Sequence, residues 1–364
     1  MPITPYVTDI GGGFRDTATL TRWLNVTRRN ILMYALAQNL PKVSALMKLL
    51  LEKQDSQPFQ HDFVIFPVYG GPDTTNQQNM QPRYINFTTG AFTTQDYFVD
   101  VLYAKFTPSG LYQTFTINMF EGLVMQSPNN IIDTVQLKIE EAVRQLFLGL
   151  QTDLMGTRGT NDQKFYGLKD VVDNGLNQPE FGGLSRTTYP WWNSPVYNFN
   201  DLRAGDTNLP IYAVINRGIN KYWAEYGNIY GVPRVAFTDP NTFSKIAESF
   251  VSIERYIVGE TRSIADIREY NVRGLDIGGV AIFPDPYLQN YSSGGNYYGD
   301  IYFLNFDHLY FTGASPIEYY VHEWWSEVTQ GRLAFSSLCL ITGQFYTDRP
   351  RAHFIIKNVP SFSA

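Results

Sequence analysis

One unbroken amphipathic stripe constrains this chain more than any other feature. Ile131, Val135, Ile139, Val143, Phe147, Leu150 and Leu154 recur at helical spacing behind Ser127-Pro128, a capping residue followed by a first-position proline, and Gly156 and Gly159 end the run. The spacing predicts a single helix over 128–155, roughly 40 Å long at ~1.5 Å per residue. Such a rod exceeds the usual globular helix, so it acts as a spine for other elements to lie against.

The segments before the spine carry different periods. Gly11, Gly12 and Gly13, with Pro2 and Pro5, predict an irregular arm over 1–14. Asp16 caps a helical pattern through Leu20, Trp23, Leu24, Ile31, Leu32 and Leu36. Pro41 interrupts it, and Val43, Leu46, Met47, Leu50 and Leu51 prolong its apolar face. From His61 the period becomes two: Phe63 to Pro67 and Tyr97 to Phe106 read as strands, and Thr114 to Met119 places Phe115, Ile117 and Met119 on one face. Between the first two strands, residues 70–96 show no core face, which predicts a long hairpin leaving the body.

Beyond the spine, 207–253 reads as α/β. A helix runs through Tyr212, Ile215, Ile219 and Trp223, a strand spans Arg234 to Phe237, and a further helix is capped by Thr238 or Asp239 ahead of Pro240. The remainder is β-rich, with strands at Gly279 to Phe283, Ile301 to Leu304 and Leu309 to Thr312 and a hairpin region from Tyr319 to Val359. Residues 181–193 read as irregular.

Composition narrows the function classes. The 28 basic and 34 acidic residues leave a net charge of −6, with no basic stripe of the kind that phosphate binding requires. A single cysteine excludes a disulfide scaffold, and no apolar run approaches the ~20 residues of a membrane span. The N-terminus has no basic start followed by an apolar stretch, so the expectation is a chain made in a reducing cytoplasm. Aromatic residues make up 15% of the chain (25 Tyr, 25 Phe, 6 Trp), pointing to a binding or assembly surface before a catalytic one.

No constellation carries catalysis, a metal or a cofactor. His322-Glu323-Trp324-Trp325-Ser326 begins like a zinc-protease helix but lacks the second histidine, and four histidines in the whole chain are few for imidazole ligation. Cys339 sits in the apolar run Leu338 to Ile341 and reads as a buried hydrophobe. Asp307-His308, between two short strands, reads as a hairpin turn rather than a dyad. The run Asn290 to Tyr298 has the Tyr/Ser/Gly/Asn make-up of an adaptable contact loop, and both a glycan platform and a plain flexible surface loop fit it.

Phe165-Tyr166-Gly167-Leu168, then Gly182-Gly183-Leu184-Ser185-Arg186 and Tyr189-Pro190-Trp191-Trp192, resemble the corresponding stretch of tailed-bacteriophage major capsid proteins. So do Gly279 to Pro286 and Ile301 to Asn305. The resemblance runs from about residue 15 onward, and Tyr-Pro-Trp-Trp is its most specific part. It implies an α+β chain with the Hong Kong 97-like fold. The N-terminal arm with helices would occupy 1–60, an extended β-hairpin loop 61–106 and a peripheral domain with the spine helix 107–200. An axial α/β domain would follow at 201–318, with C-terminal β elements at 319–364 returning to the peripheral domain.

The resemblance further implies pentamers and hexamers closing into an icosahedral shell in the virion. The partners would be other copies of the chain, portal, scaffolding and decoration proteins, and weakly held double-stranded DNA; no cofactor is implied. The expected subunit-contact residues are Tyr69, Tyr84, Phe87 and Phe92 of the extended loop, Arg28 and Arg29 of the N-terminal helix region, and Tyr189, Trp191 and Trp192. In the founding member of the fold a loop lysine bonds covalently to a neighbour's asparagine. This chain departs from that pattern, having no lysine between Lys53 and Lys105. It also lacks the long, highly charged N-terminal segment of some relatives, which implies that such a segment was removed or that scaffolding is a separate protein. The competing classes are a secreted glycan-binding protein or β-rich glycoside hydrolase, against which the missing signal peptide and disulfides argue, and an internal portal or tail protein.

Overall fold

The computed structural model describes residues 46, 49–50, 64–69, 101–118, 128–159, 161, 163–250, 274–313, 320–321, 325–326 and 334–363. The chain forms two compact units, one of residues 1–44, 110–151 and 317–342 and the other of 45–109, 152–316 and 343–364. The predicted arm, the helix from Asp16, residues 70–96 and Met119 lie outside the described residues, apart from Leu46, Leu49 and Leu50, which are helical.

The strands are β1 (Val64–Tyr69), β2 (Val101–Phe106), β3 (Ser109–Asn118), β4 (Glu180–Phe181), β5 (Leu184–Ser185), β6 (Val196–Asn198), β7 (Val235–Thr238) and β8 (Leu275–Ile277). They continue with β9 (Val280–Pro284), β10 (Tyr291–Ser293), β11 (Asn296–Leu304), β12 (Leu309–Gly313), β13 (Tyr320–Val321), β14 (Trp325–Ser326), β15 (Ala334–Thr347) and β16 (Phe354–Ser361). The helices are α1 (Pro128–Met155), α2 (Leu168–Val171), α3 (Phe199–Arg203), α4 (Ile211–Tyr222) and α5 (Pro240–Phe250).

In the first unit the spine is present over its predicted span of 28 residues, and Ile139, Val143, Phe147 and Leu150 of its stripe are buried. Strand β3 lies against it: Leu111 packs at Gly149, and Lys138 Nζ donates to the Thr116 carbonyl at 2.9 Å. As the alternation predicts, Phe115 and Ile117 turn inward while Thr114, Thr116 and Asn118 are exposed. β3, β13 and β14 all pair with β15. Thr116 and Ser336 hydroxyls meet at 2.9 Å across that ladder, and Cys339 is buried, its thiol pushed up to about 12 by burial.

In the second unit a mixed sheet has the order β6-β16-β11-β7-β9-β8, with β10 paired to β11. β16 is antiparallel to β11 but parallel to β6, and β7 is parallel to β9. Helices α3, α4 and α5 supply Phe199, Val214, Ile215, Ile219, Tyr222 and Ile246 to the core, where they meet Ile282, Ile301, Phe303, Phe354 and Ile356 from the strands. Phe354 stacks on Phe303 at 4.2 Å and on Tyr222 at 4.5 Å. Asp239, not Thr238, caps α5: its Oδ1 accepts the Thr242 N–H at 2.9 Å.

The helix expected through Trp223 is present: α4 passes at Tyr222 into a π-type turn, Trp223–Gly227, and a last α turn to Tyr230, with Trp223 57% exposed. Three local expectations are corrected. Residues 181–193 are regular: β4 and β5 form a hairpin, followed by a 3-10 turn at Pro190–Trp192. Residues 290–298 are likewise a hairpin, β10 to β11. Asp307-His308 is no hairpin turn, because β11 pairs with β16 and β7 while β12 pairs with β15. The pair sits in a short 3-10 crossover, where His308 Nδ1 lies 3.1 Å from Asp348. Residues 319–364 also do not stay together: β13, β14 and 334–342 of β15 lie in the first unit, whereas β16 is interior to the α/β sheet of the second. The reason is hydrophobic. Phe354, Ile355, Ile356 and Val359 are buried to 1% exposure or less, which requires cover over both faces of the strand.

Candidate subunit-contact site

The Gly182-to-Trp192 stretch builds one continuous feature in the second unit. Phe181 pairs with Leu184, so the hairpin loop is the dipeptide Gly182-Gly183, with φ of +61° and +75°. A two-residue turn with positive φ at both positions matches the strand twist, and glycine adopts it without the Cβ penalty. Gly182 has a second reason to be glycine, since a Cβ there would meet the Phe106 ring at 2.6 Å. The backbone amide of Lys105 also donates to the Gly182 carbonyl at 2.8 Å. The Gly-Gly turn is therefore the seat on which β2 rests, and β2 pairs along its length with β1.

Arg186 anchors this seat from below. Its side chain is fully buried, Nη1 donates to the carbonyls of Asp170 at 2.7 Å and Gln178 at 3.3 Å, and Nη2 donates to that of Val171 at 3.0 Å. Asp173 lies 3.6 Å away as counter-charge, and the guanidinium stands over the Phe181 ring at 4.6 Å. Burial pulls the Arg186 pKa down to about 10, which leaves it charged at neutral pH. The Asp170 carboxylate accepts from the Thr157 hydroxyl and from the Arg158 and Gly167 amides, the last two at 2.6 and 2.9 Å; burial nonetheless holds its pKa above the usual carboxylate value. These groups tie the α1 exit, α2 and the β4–β5 hairpin into one polar knot.

Aromatic rings run outward from the knot. Phe106 meets Phe181 at 5.0 Å, Phe181 meets Trp192 at 6.0 Å, Trp192 meets Trp191 at 5.9 Å and Trp191 meets Tyr189 at 5.8 Å. Trp192 is consumed inside the subunit: it is 1% exposed and its indole N–H donates to the Phe181 carbonyl at 2.9 Å. Its expected contact with a neighbour is corrected to a core role, while Tyr189 and Trp191 remain half-buried at the surface. Tyr69 ends β1 opposite Val101. Tyr84, Phe87, Phe92, Arg28 and Arg29 lie outside the described residues.

Two exposed apolar groups were missed by sequence reasoning. In the β1–β2 ribbon, Phe66, Val68, Ala104 and Phe106 turn toward the body while Ile65, Pro67 and Tyr103 face out, Ile65 at 47% and Tyr103 at 61% exposure. The signal was available, since both alternating faces of this ribbon are apolar and one sheet face accounts for only half of them. After α4, Trp223 and Ile229 are also exposed. At the other end of the sheet, the Tyr291 hydroxyl donates to Asn358 Oδ1 at 2.7 Å and Asp300 Oδ1 at 3.1 Å, pinning the β10–β11 hairpin and its partly exposed Tyr297. Among the described residues no group of three or more His, Cys, Asp and Glu is placed to hold a metal ion.

Neither a family model nor a curated protein matches the sequence. Solved structures do. A chain of the cyanophage A-1(L) capsid asymmetric unit matches with a TM-score of 0.56 at 14% identity, over 86% of this chain and 92% of that one. The encapsulin SrpI of Synechococcus elongatus gives 0.48 at 11% identity, over 89% and 91%. The capsid of the myovirus phage XM1 gives 0.44 at 10% identity, over 81% and 83%. The first of these carries the conclusion: the chain has the mixed α+β fold of a phage capsid protein.

Proposed function

We propose that this protein is a major capsid protein of a tailed phage, a structural subunit and not an enzyme, that assembles with copies of itself into the virion shell. The observation that carries this reading is the likeness to a capsid chain over 86% of the present chain. The reading extends to the Hong Kong 97-like arrangement. There α1 is the spine of a peripheral domain over 107–200, the β1–β2 ribbon is the base of an extended loop over 61–106, and the α/β sheet is an axial domain joined by β16. Ile65 and Tyr103, Tyr189 and Trp191, and the loop aromatics Tyr84, Phe87 and Phe92 meet neighbouring copies. Large apolar contacts of this kind are individually weak and become strong by repetition. Arg28 and Arg29 of the arm face either packaged DNA or an adjacent subunit, with portal, scaffolding and decoration proteins as further partners.

Assembly tests the reading. The chain, expressed with its scaffold, is expected to form closed shells visible by electron microscopy, and deletion of 72–92 is expected to leave a folded, soluble subunit that forms none. Normal shells from the deletion would refute the loop's role, and an obligate monomer under every condition would refute the function. A second outcome follows from lysine placement. With none between Lys53 and Lys105, the loop holds no amine to crosslink, and Lys105 sits in β2 beside the body. Mature particles should dissociate in hot detergent to a single 41.6 kDa band. A ladder of covalent multimers mapping to Lys105 would overturn this.

A further inference from the structure

The loop after α2 carries the sole Asn–Gly step of the 364-residue chain, Asn174-Gly175. Asn174 is exposed, and Leu176 beside it is 75% exposed, so water reaches the site freely. Glycine leaves the following backbone nitrogen without a side chain to shield it. That combination favours spontaneous deamidation. The Gly175 nitrogen gives up its proton and attacks Asn174 Cγ, an N–Cγ bond forms, and the Cγ–Nδ2 bond breaks, with ammonia carrying the proton away. Water then opens the succinimide at either carbonyl to give aspartate or isoaspartate.

The nitrogen that must attack is already engaged. The Gly175 N–H donates to Asp173 Oδ2 at 2.9 Å, and the same oxygen accepts from the amides of Asn177 at 2.9 Å and Gln178 at 3.0 Å. Asp173 itself is fully buried and held by the Arg186 cation 3.6 Å away, so it cannot swing aside. A carboxylate in that position opposes the reaction twice. It fixes the nitrogen in a hydrogen bond that attack must break, and its negative charge disfavours removal of the proton from that nitrogen.

We propose that Asn174 is a deamidation site which the fold restrains through Asp173, so that conversion to aspartate or isoaspartate marks loosening of this loop. Breaking a hydrogen bond to a charged group before attack slows the reaction by about tenfold to a hundredfold.

The test is peptide mass spectrometry of the purified full chain incubated at mildly alkaline pH, native and in urea, scoring the amide-to-acid mass gain and the isoaspartyl fraction at Asn174. Native protein is expected to convert at least about tenfold more slowly than the unfolded chain, and Asp173→Asn to restore most of that rate in a folded subunit. Because Asp173→Asn strands a buried cation, the paired variant Asp173→Asn/Arg186→Met is measured beside it. Equal native and unfolded rates would overturn the proposal, as would either variant folding and converting at the wild-type rate. Should both variants unfold, hydrogen exchange of the Gly175 amide in the native wild type decides: protection supports the proposal and free exchange rejects it.

Discussion

Replacing Arg186 by methionine should destabilise the subunit by about 3–5 kcal/mol, the usual cost of removing one member of a buried ionic cluster. The side chain is fully buried and donates to three carbonyls, those of Asp170, Val171 and Gln178. Methionine has similar length but leaves all three without that donor, and it leaves Asp173 without its cation. Asp173 retains three backbone amides, which is why the expected loss stops short of total unfolding. Lysine should recover less than half of the loss, since a point charge with rotatable donors cannot reproduce a planar fork serving carbonyls on two sides. Urea unfolding followed by tryptophan fluorescence reads this directly, because Trp192 packs on Phe181, the ring beneath the guanidinium. A loss below about 1 kcal/mol would mean that the cluster contributes no more than an exposed ion pair.

Gly182→Ala should destabilise the second unit for two separate reasons. Alanine at φ +61° costs about 1–2 kcal/mol in backbone strain, and the methyl falls 2.6 Å from the Phe106 ring, an overpacking worth about 1–3 kcal/mol more. The ring has little room to yield, because Phe66, Tyr166, Phe181 and Tyr346 all pack on it. The adjacent Gly183 is the matched control. Its φ is +75°, but nothing lies within 4 Å of its added Cβ, so Gly183→Ala should show the backbone cost alone. The difference between the two variants therefore isolates the seating of β2. Limited proteolysis of the β1–β2 ribbon and shell yield are the readouts, and Gly182→Ala is expected to expose the ribbon to cleavage and suppress closed shells. Equal effects from both variants would show that the Phe106 contact does not hold the ribbon.

The spine helix was legible over its whole length because a stripe with seven members, an N-terminal Ser-Pro pair and closing glycines all agree, and local consistency needs no distant partner. The same holds for β3, where alternation alone put Phe115 and Ile117 inside, and for Cys339, whose apolar neighbours announced its burial. The hairpins were legible in principle and misread. Three Gly-Gly pairs, at 182–183, 278–279 and 294–295, each close a two-residue turn with positive φ at both positions. A Gly-Gly step between short apolar or aromatic runs is itself a hairpin signal. Two of those pairs, 182–183 and 294–295, fall in stretches whose mixed composition reads as irregular.

What the sequence could not supply is where its strands go once formed. Nothing in Phe354 to Ser361 says that this last strand lies between β6 and β11, far along the chain from one and beyond four intervening strands from the other. The hydrophobic run fixes only that both faces are covered. Likewise Tyr-Pro-Trp-Trp offers three aromatic side chains that read alike, yet the structure buries Trp192 and leaves Tyr189 and Trp191 at the surface. Local pattern depends on neighbours a few residues away and is written in the chain itself. Strand order, and which of two adjacent tryptophans is core, depend on surfaces that exist only after distant segments have packed, so the tertiary structure alone decided them.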